Sequence, residues 1–134
     1  MRDIWTYPAS YMVGNHDADT ITVNIDLGQQ QWTMGRNVRL FGVAANELKD
    51  PGGKEARDAV SAKIPIGTKL YIISRGWDKY AGRIDGVVYL DPDQAITLQS
   101  WLILEGWAVP WDGNGKQPKV PWPRVRPEEP ERVW

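Results

Sequence analysis

The chain has 134 residues, a length typical of a single domain whose core needs no metal or disulfide to be stable. It contains no cysteine and a single histidine, His16, which excludes disulfides, zinc–thiolate sites, thiol catalysis and histidine-cluster metal sites. With 16 Lys and Arg against 17 Asp and Glu, the balanced charge argues against a protein that coats nucleic acid by bulk charge.

The N-terminal residues contain no apolar stretch of the kind found in signal peptides, and no apolar run is long enough to cross a membrane. We therefore expect a cytoplasmic protein without a membrane partner, of a size that suits a phage or prophage gene product. Composition divides the chain into an N-terminal extension (1–9), a patterned domain (10–110) and a tail rich in Pro and Trp (111–134).

Apolar periodicity predicts strands in the first part of the domain. Residues 10–13 predict a short strand, and residues 32–43 a longer one with Val38 and Leu40 on one face. Residues 21–27 alternate without a fault and end at Gly28, which predicts a strand with one buried face made of Ile21, Val23, Ile25 and Leu27.

The second part of the domain predicts two helices and two further strands. Residues 54–63 carry an apolar stripe and end before Pro65, which predicts a helix. Residues 68–75 predict a strand that buries either Leu70 and Ile72 or Tyr71 and Ile73, and residues 83–90 predict the next strand. Residues 95–105 place apolar side chains at helical spacing, with Gly106 available to end the helix.

This order predicts a mainly β, α+β domain in which short strands with one inserted helix close into a small barrel. The five-stranded oligonucleotide-binding barrel is the natural candidate. Prolines prevent residues 111–134 from forming a regular helix or a central strand, so we expect an extended tail. Its Trp residues either hold the tail against its own domain or form an arm for a partner.

Two acidic residues lie at the start of the most regular strand. Asp17 and Asp19 are one residue apart, so both carboxylates can face a hard cation such as calcium. The same residues, with Asn15 and His16, are also typical of a simple turn.

Two further polar clusters allow a structural and a functional interpretation. Arg39 lies within an apolar strand and Glu47 follows it, which suits either a structural ion pair or a phosphate clamp beside a general base. Residues 78–83 carry Lys79, Tyr80 and Arg83, which suit either a solvated hairpin turn or an edge that recognises phosphate.

Together these clusters resemble a known family. The order is D-x-D-T (17–20), R-L-x-G-V-x-x-x-E (39–47), E-A-R (55–57), D-K-Y-x-G-R (78–83) and L-I-x-E-G-W-A (102–108). In order and spacing it resembles the staphylococcal nuclease-like, or thermonuclease, family from about Ser10 to Ala108. That family has the oligonucleotide-binding barrel, so the resemblance implies the same fold.

The resemblance also implies roles. Arg39 would contact the scissile phosphate, Glu47 would act as general base on the attacking water, and Arg83 would stabilise the transition state. Lys79 and Tyr80 would contact a terminal phosphate of the bound nucleotide.

A metal ion would complete such a site. Asp19 would be a ligand of Ca²⁺, or of another divalent ion in its place, with the Ala45 backbone carbonyl and Asp17 as further candidates. The implied activity is hydrolysis of DNA or RNA with low sequence specificity and a preference for single strands. The alternative is a weakened or inactive barrel of the same type that binds nucleic acid or a protein partner.

The chain departs from the family pattern at several points. The family usually reads D-x-P-E where residues 44–47 read A-A-N-E, so Ala44 cannot supply the usual carboxylate ligand. Ala18 replaces a glycine, and Ala81 is an extra residue within D-K-Y-G-R that would shift Arg83. The prolines of the tail also forbid the third, C-terminal helix of the family's type member.

Overall fold

A computed structural model describes residues 5–77 and 82–127. A single turn of 3₁₀ helix (Pro92–Gln94) follows the sixth strand. The regular elements of the described residues, in chain order, are β1 (Thr6–Asp17), β2 (Thr20–Gly28), β3 (Gln31–Leu40), β4 (Val43–Ala45), α1 (Gly53–Lys63), β5 (Lys69–Trp77), β6 (Ile84–Asp91), β7 (Ile96–Thr97), α2 (Leu98–Leu104) and β8 (Ala108–Pro110).

Five strands close into a mixed barrel. They are hydrogen-bonded in the order β3-β2-β1-β5-β6 with antiparallel neighbours, and a parallel pairing of β3 with β6 completes the ring. The short strand β7 extends the sheet beside β6, while β4 and β8 form a separate two-stranded sheet. This architecture confirms the predicted mainly β, α+β fold and is consistent with an oligonucleotide-binding barrel.

The barrel interior is filled by the side chains that alternation assigned to it. Ile21, Val23 and Ile25 are fully buried, as is the Leu70 and Ile72 face of β5. Leu27 is the exception, because it lies at the end of β2 where the barrel opens, and it is exposed. Both helices add apolar side chains to the same core cluster, namely Ala56, Val60, Leu98 and Leu102.

Two strand boundaries differ from the predictions. Strand β1 begins at Thr6, so part of the predicted N-terminal extension 1–9 belongs to the barrel, where Thr6 and Tyr7 pair with β5. The predicted strand 32–43 is divided in two, because the chain reverses at Gly42 with a φ of 86°. Such a positive φ suits glycine, which has no side chain to clash.

The predicted helix 95–105 is shorter than expected. Ile96 and Thr97 pair with β6 as the short strand β7, and the Thr97 side chain accepts a hydrogen bond from the Ser100 backbone N–H to begin α2. Gly106 ends the helix at a φ of 80°, as predicted. Among the described residues, no helix combines the length and the apolar character needed to cross a membrane.

The described part of the tail, 111–127, contains no helix or strand and packs on the domain. The buried Asn46 amide donates to the backbone carbonyls of Val120 (2.8 Å) and Pro51 (3.0 Å) and accepts from the Val120 N–H (2.8 Å). Trp122 stacks against Trp107 with ring centroids 6.1 Å apart. These contacts favour the interpretation in which the tail is held by its own domain.

We expect Asn46→Ala to destabilise the protein, because it leaves the Val120 and Pro51 backbone groups without their partner. The free energy of unfolding should fall by about 1–3 kcal/mol, measured by urea denaturation. Asn37→Ala is the matched control, since the Asn37 side chain is exposed and accepts a hydrogen bond from the Thr22 hydroxyl, and its effect should stay within about 0.5 kcal/mol. Equal effects of the two substitutions would contradict this role of Asn46.

Candidate functional site

Strand register places several charged residues on the outer wall of the barrel. Val38 and Leu40 point into the core, so Arg39 between them points outward. Arg39 pairs with Thr20 of β2 on one side and with Asp85 of β6 on the other. Arg83 directly precedes β6, so the closure of β3 on β6 brings both arginine-bearing segments to one edge.

The turn between β1 and β2 brings two carboxyl groups close together. The Asp19 carboxyl is near enough to Asp17 to raise the pKa of the Asp17 carboxyl. Asp19 is buried, and its carboxylate also accepts from the Thr20 hydroxyl (3.3 Å) and from the Ala45 backbone N–H (3.2 Å). The sequence was compatible with a simple turn or with a cation site. In the structure these residues form a turn, and the two carboxyl groups lie on the same side of it.

The Asp17 carboxyl is held in an environment that disfavours its charge. Burial, and after it the nearby Asp19 carboxyl, raise its pKa from 3.8 to about 7, while Arg83 opposes the shift. The Oδ1 atom of Asp17 is buried and has no hydrogen-bond partner among the described residues. A proton or a cation would relieve the repulsion between the two carboxylates.

Arg39 is held by backbone carbonyls and an aromatic ring. Its guanidinium donates to the carbonyls of Leu40 (3.1 Å) and Val43 (3.4 Å), and it lies 5.3 Å from the centroid of the Trp111 ring. No ion pair joins Arg39 to Glu47 in the described part of the chain. Its orientation therefore depends on the bend after β3 and on the start of the tail.

The two alanines of β4 differ in their surroundings. Ala44 is fully buried but lies outside the main apolar cluster, whereas Ala45 belongs to that cluster. The Ala45 carbonyl, a candidate metal ligand, accepts a hydrogen bond from the Gln117 side-chain amide at 3.0 Å. One of its lone pairs is therefore already engaged by the tail.

Glu47 lies in an exposed loop after β4. Its carboxylate is 3.4 Å from the Lys49 ammonium, and its backbone N–H donates to the Asp50 carboxylate at 3.3 Å. A Cβ atom at Gly53 would collide with the Glu47 carbonyl oxygen, so glycine is required where α1 begins beneath this loop.

The tail also holds the loop that carries Glu47. The Lys119 ammonium lies 2.8 Å from the Asp50 carboxylate. That hydrogen bond is the main reason why the Asp50 pKa lies below its ordinary value, and it raises the pKa of Lys119. The backbone beneath Glu47 is thus fixed, although its side chain faces solvent.

The structure therefore joins some of the sequence-predicted residues and not others. Asp17 and Asp19 are neighbours near Arg83, Arg39 lies on β3, which pairs with β2 and β6, and Glu47 is exposed to solvent. Lys79, Tyr80 and the extra Ala81 lie outside the described residues. Within 5–77 and 82–127, no three acidic or histidine side chains are grouped so that they could hold a metal ion, so the pair of carboxylates is the acidic centre of the site.

Sequence reasoning missed the residues that hold this site from behind. Asn46, Gln117 and Lys119 act through contacts with residues about 70 positions away. One signal was available at Asn46, because an amide that can both donate and accept stands where the resembled family usually has a proline. No pattern in the sequence indicated that Gln117 would contact Ala45 or that Lys119 would contact Asp50.

No protein-family model matches the chain. A search of curated proteins also finds no match.

The raised pKa of Asp17 predicts a pH dependence of stability. Between about pH 4 and pH 7 the folded protein keeps a proton that the unfolded chain releases, so the free energy of unfolding should fall as pH rises through this window. Asp17→Asn should abolish that part of the decline and be more stable than wild type above pH 7.

Urea denaturation at a series of pH values tests this expectation, with the exposed Asp58→Asn as the matched control. The control should keep the wild-type slope. Stability curves for wild type and Asp17→Asn that run parallel from pH 4 to pH 8 would rule out the buried, proton-holding pair.

Proposed function

We propose that the chain is a divalent-metal-dependent phosphodiesterase of the staphylococcal nuclease type, acting on single-stranded DNA or RNA with low sequence specificity. One observation carries the proposal: the Asp17 and Asp19 carboxyl groups are close neighbours near Arg83, on the wall of the barrel that also presents Arg39. Paired acids next to guanidinium groups suit a cation together with a phosphodiester.

The two carboxylates suit a divalent cation whose remaining ligands come from the phosphate of the substrate and from water. Two neighbouring carboxylates, one with a buried oxygen that has no hydrogen-bond partner within 5–77 and 82–127, form an oxygen-rich corner. Calcium takes about six to eight oxygen ligands, whereas magnesium is often held by one or two carboxylates plus substrate phosphates. Asp17 and Asp19 would hold either ion, with water and phosphate oxygens completing the set.

Such an ion would neutralise the negative charge of the phosphate and would lower the pKa of a nearby water molecule. Arg83, beside Asp17, would donate to the phosphate oxygens and stabilise the charge that develops during displacement. Arg39 has a planar guanidinium with five N–H donors, and its contacts with two carbonyls leave donors for a phosphate.

Glu47 would take the proton from the attacking water. Its exposed carboxylate is accessible to solvent, and the loop backbone beneath it is fixed through Asp50 and Lys119. The Lys49 ammonium at 3.4 Å would have to release the carboxylate for this step. An exposed ion pair of this kind contributes little stability, so the exchange costs little.

A second function is favoured by the same contacts. Arg39 already donates to two carbonyls, the Ala45 carbonyl already accepts from Gln117, and Glu47 is paired with Lys49. A site with these groups engaged can hold a phosphate without hydrolysing it. The alternative is therefore a module of the same fold that binds nucleic acid or a protein partner without cleavage.

A cleavage assay on fluorescently labelled single-stranded DNA and RNA distinguishes the two functions. We expect cleavage with Ca²⁺ and none with a chelator. Glu47→Gln should lower the rate by about 100-fold or more, because the general base is lost. Arg83→Ala should lower it by a similar factor, because the transition state loses a charged donor.

The matched controls are Glu55→Gln and Arg75→Ala, which change exposed residues outside the site and should leave the rate near wild type. Thermal unfolding checks that the variants remain folded. Full activity of either Glu47→Gln or Arg83→Ala would remove the assigned role. Absence of cleavage with every divalent ion tried, combined with binding of the oligonucleotide, would favour the non-catalytic alternative.

Ala44→Asp tests the metal site directly, because the resembled family has a carboxylate ligand at this position. A third carboxylate should tighten Ca²⁺ binding by about tenfold, since calcium affinity rises with the number of charged ligands. In chelator the same variant should be less stable than wild type, because a buried charge is added without a partner.

Isothermal titration calorimetry and thermal unfolding with and without Ca²⁺ measure these effects. Ala44→Asn is the control of equal size without charge, and it should gain no affinity. Identical Ca²⁺ binding by the Asp and Asn variants would contradict a metal site at this corner.

A further inference from the structure

A cleft of about 620 Å³ opens at the end of the barrel where β1 begins and β2 ends. It lies at the opposite end of β1 from the Asp17–Asp19 pair. We call it the barrel-mouth cleft, and its walls include Trp5, Tyr7, Thr33, Arg36, Ser74 and Trp77.

Two indole rings flank this cleft and remain open to solvent. Trp5 is 62% exposed and Trp77 is 60% exposed. Exposure of two such large apolar rings at one opening is unfavourable in water and is typical of a surface that binds a ligand. Flat, exposed aromatic rings suit ligands that are themselves flat.

The positive charge in the cleft favours a negatively charged ligand. Arg36 projects into it, with the guanidinium carbon 5.9 Å from the centroid of the Trp77 ring and a 2.9 Å hydrogen bond to the Thr33 hydroxyl. No carboxylate lines the cleft among the described residues. The ligand should therefore combine a flat apolar group with a negative charge.

The cleft and the arginines of the candidate phosphodiester site both adjoin the edge between β3 and β6. Arg36 pairs with the buried Val23 and so faces inward, while Arg39, three residues along β3, faces outward. Three residues of a strand span about 10 Å. Ile84 lines the cleft, and Arg83 is its chain neighbour. One extended ligand can therefore reach both places.

We propose that the barrel-mouth cleft binds a base of a single-stranded nucleic acid, stacked on Trp77 and Trp5, with a neighbouring phosphate on Arg36. The proposal rests on the proposed function for the kind of ligand, and it does not depend on cleavage. Bases of every sequence have flat faces, so stacking of this kind holds a strand with little sequence preference.

Binding of a labelled oligothymidylate, followed by fluorescence anisotropy in chelator so that no cleavage occurs, tests the proposal. Trp77→Ala should raise the Kd by about 5-fold to 100-fold through loss of stacking. Arg36→Ala should raise the Kd and also reduce its dependence on salt, because one phosphate contact is lost.

Two matched variants control for general effects. Trp32→Ala removes an exposed Trp from the outer wall, and Arg75→Ala removes an exposed cation that lies over Phe41. Both should leave the Kd within about twofold of wild type. Circular dichroism confirms that each variant is folded.

The proposal is overturned if Trp77→Ala and Arg36→Ala bind like wild type, or if Trp32→Ala weakens binding as much as Trp77→Ala. It is also overturned if the wild-type cleft takes an alkyl sulfate but no oligonucleotide. Cleavage with an unchanged Kd in Trp77→Ala would remove this inference alone. Weakened binding in Trp77→Ala without cleavage by wild type would support the inference and remove only the catalytic assignment.

Discussion

The reciprocal hydrogen bonds between the buried Asn46 amide and the Val120 backbone fix the geometry around the candidate site. A buried amide that satisfies backbone groups on two segments is costly to break, because each freed group would lie in a region without water. With the tail held there, Gln117 reaches the Ala45 carbonyl and Lys119 reaches Asp50. The loop that carries Glu47 is thereby held from the side opposite its solvent face.

The barrel wall separates two kinds of surface along one strand. On β3, side chains alternate between the interior and the outer wall, so Arg36 reaches the barrel-mouth cleft while Arg39 lies outside. Parallel pairing with β6 brings Arg83 and Ile84 to the same edge. A strand of nucleic acid crossing this edge would meet charged donors on the outside and aromatic rings at the opening.

The carboxyl pair gives the site its electrostatic character. Two neighbouring carboxylates cannot both be ionised cheaply when one is largely buried, so Asp17 keeps a proton to near neutral pH unless a cation takes its place. Arg83 offsets part of this repulsion but is not sufficient to restore an ordinary pKa. A cation bound here would displace that proton, so its affinity would depend on pH.

Local patterns in the sequence were sufficient for the period-2 burial of β2, the apolar stripe and proline stop of α1, and the absence of helix and strand from the described tail residues 111–127, because these depend on neighbouring residues. Order among the motifs also pointed to the barrel and to Asp19, Arg39, Glu47 and Arg83 as one group, of which Glu47 faces solvent in the structure. Only the tertiary structure decided the break at Gly42, the entry of residues 6–9 into β1, the raised pKa of Asp17 and the hydrogen bonds of Asn46. Each of these depends on burial or on a partner that is distant in the chain. Asn46 and Val120, for example, are 74 residues apart, and the spacing of neighbouring residues cannot predict such a contact.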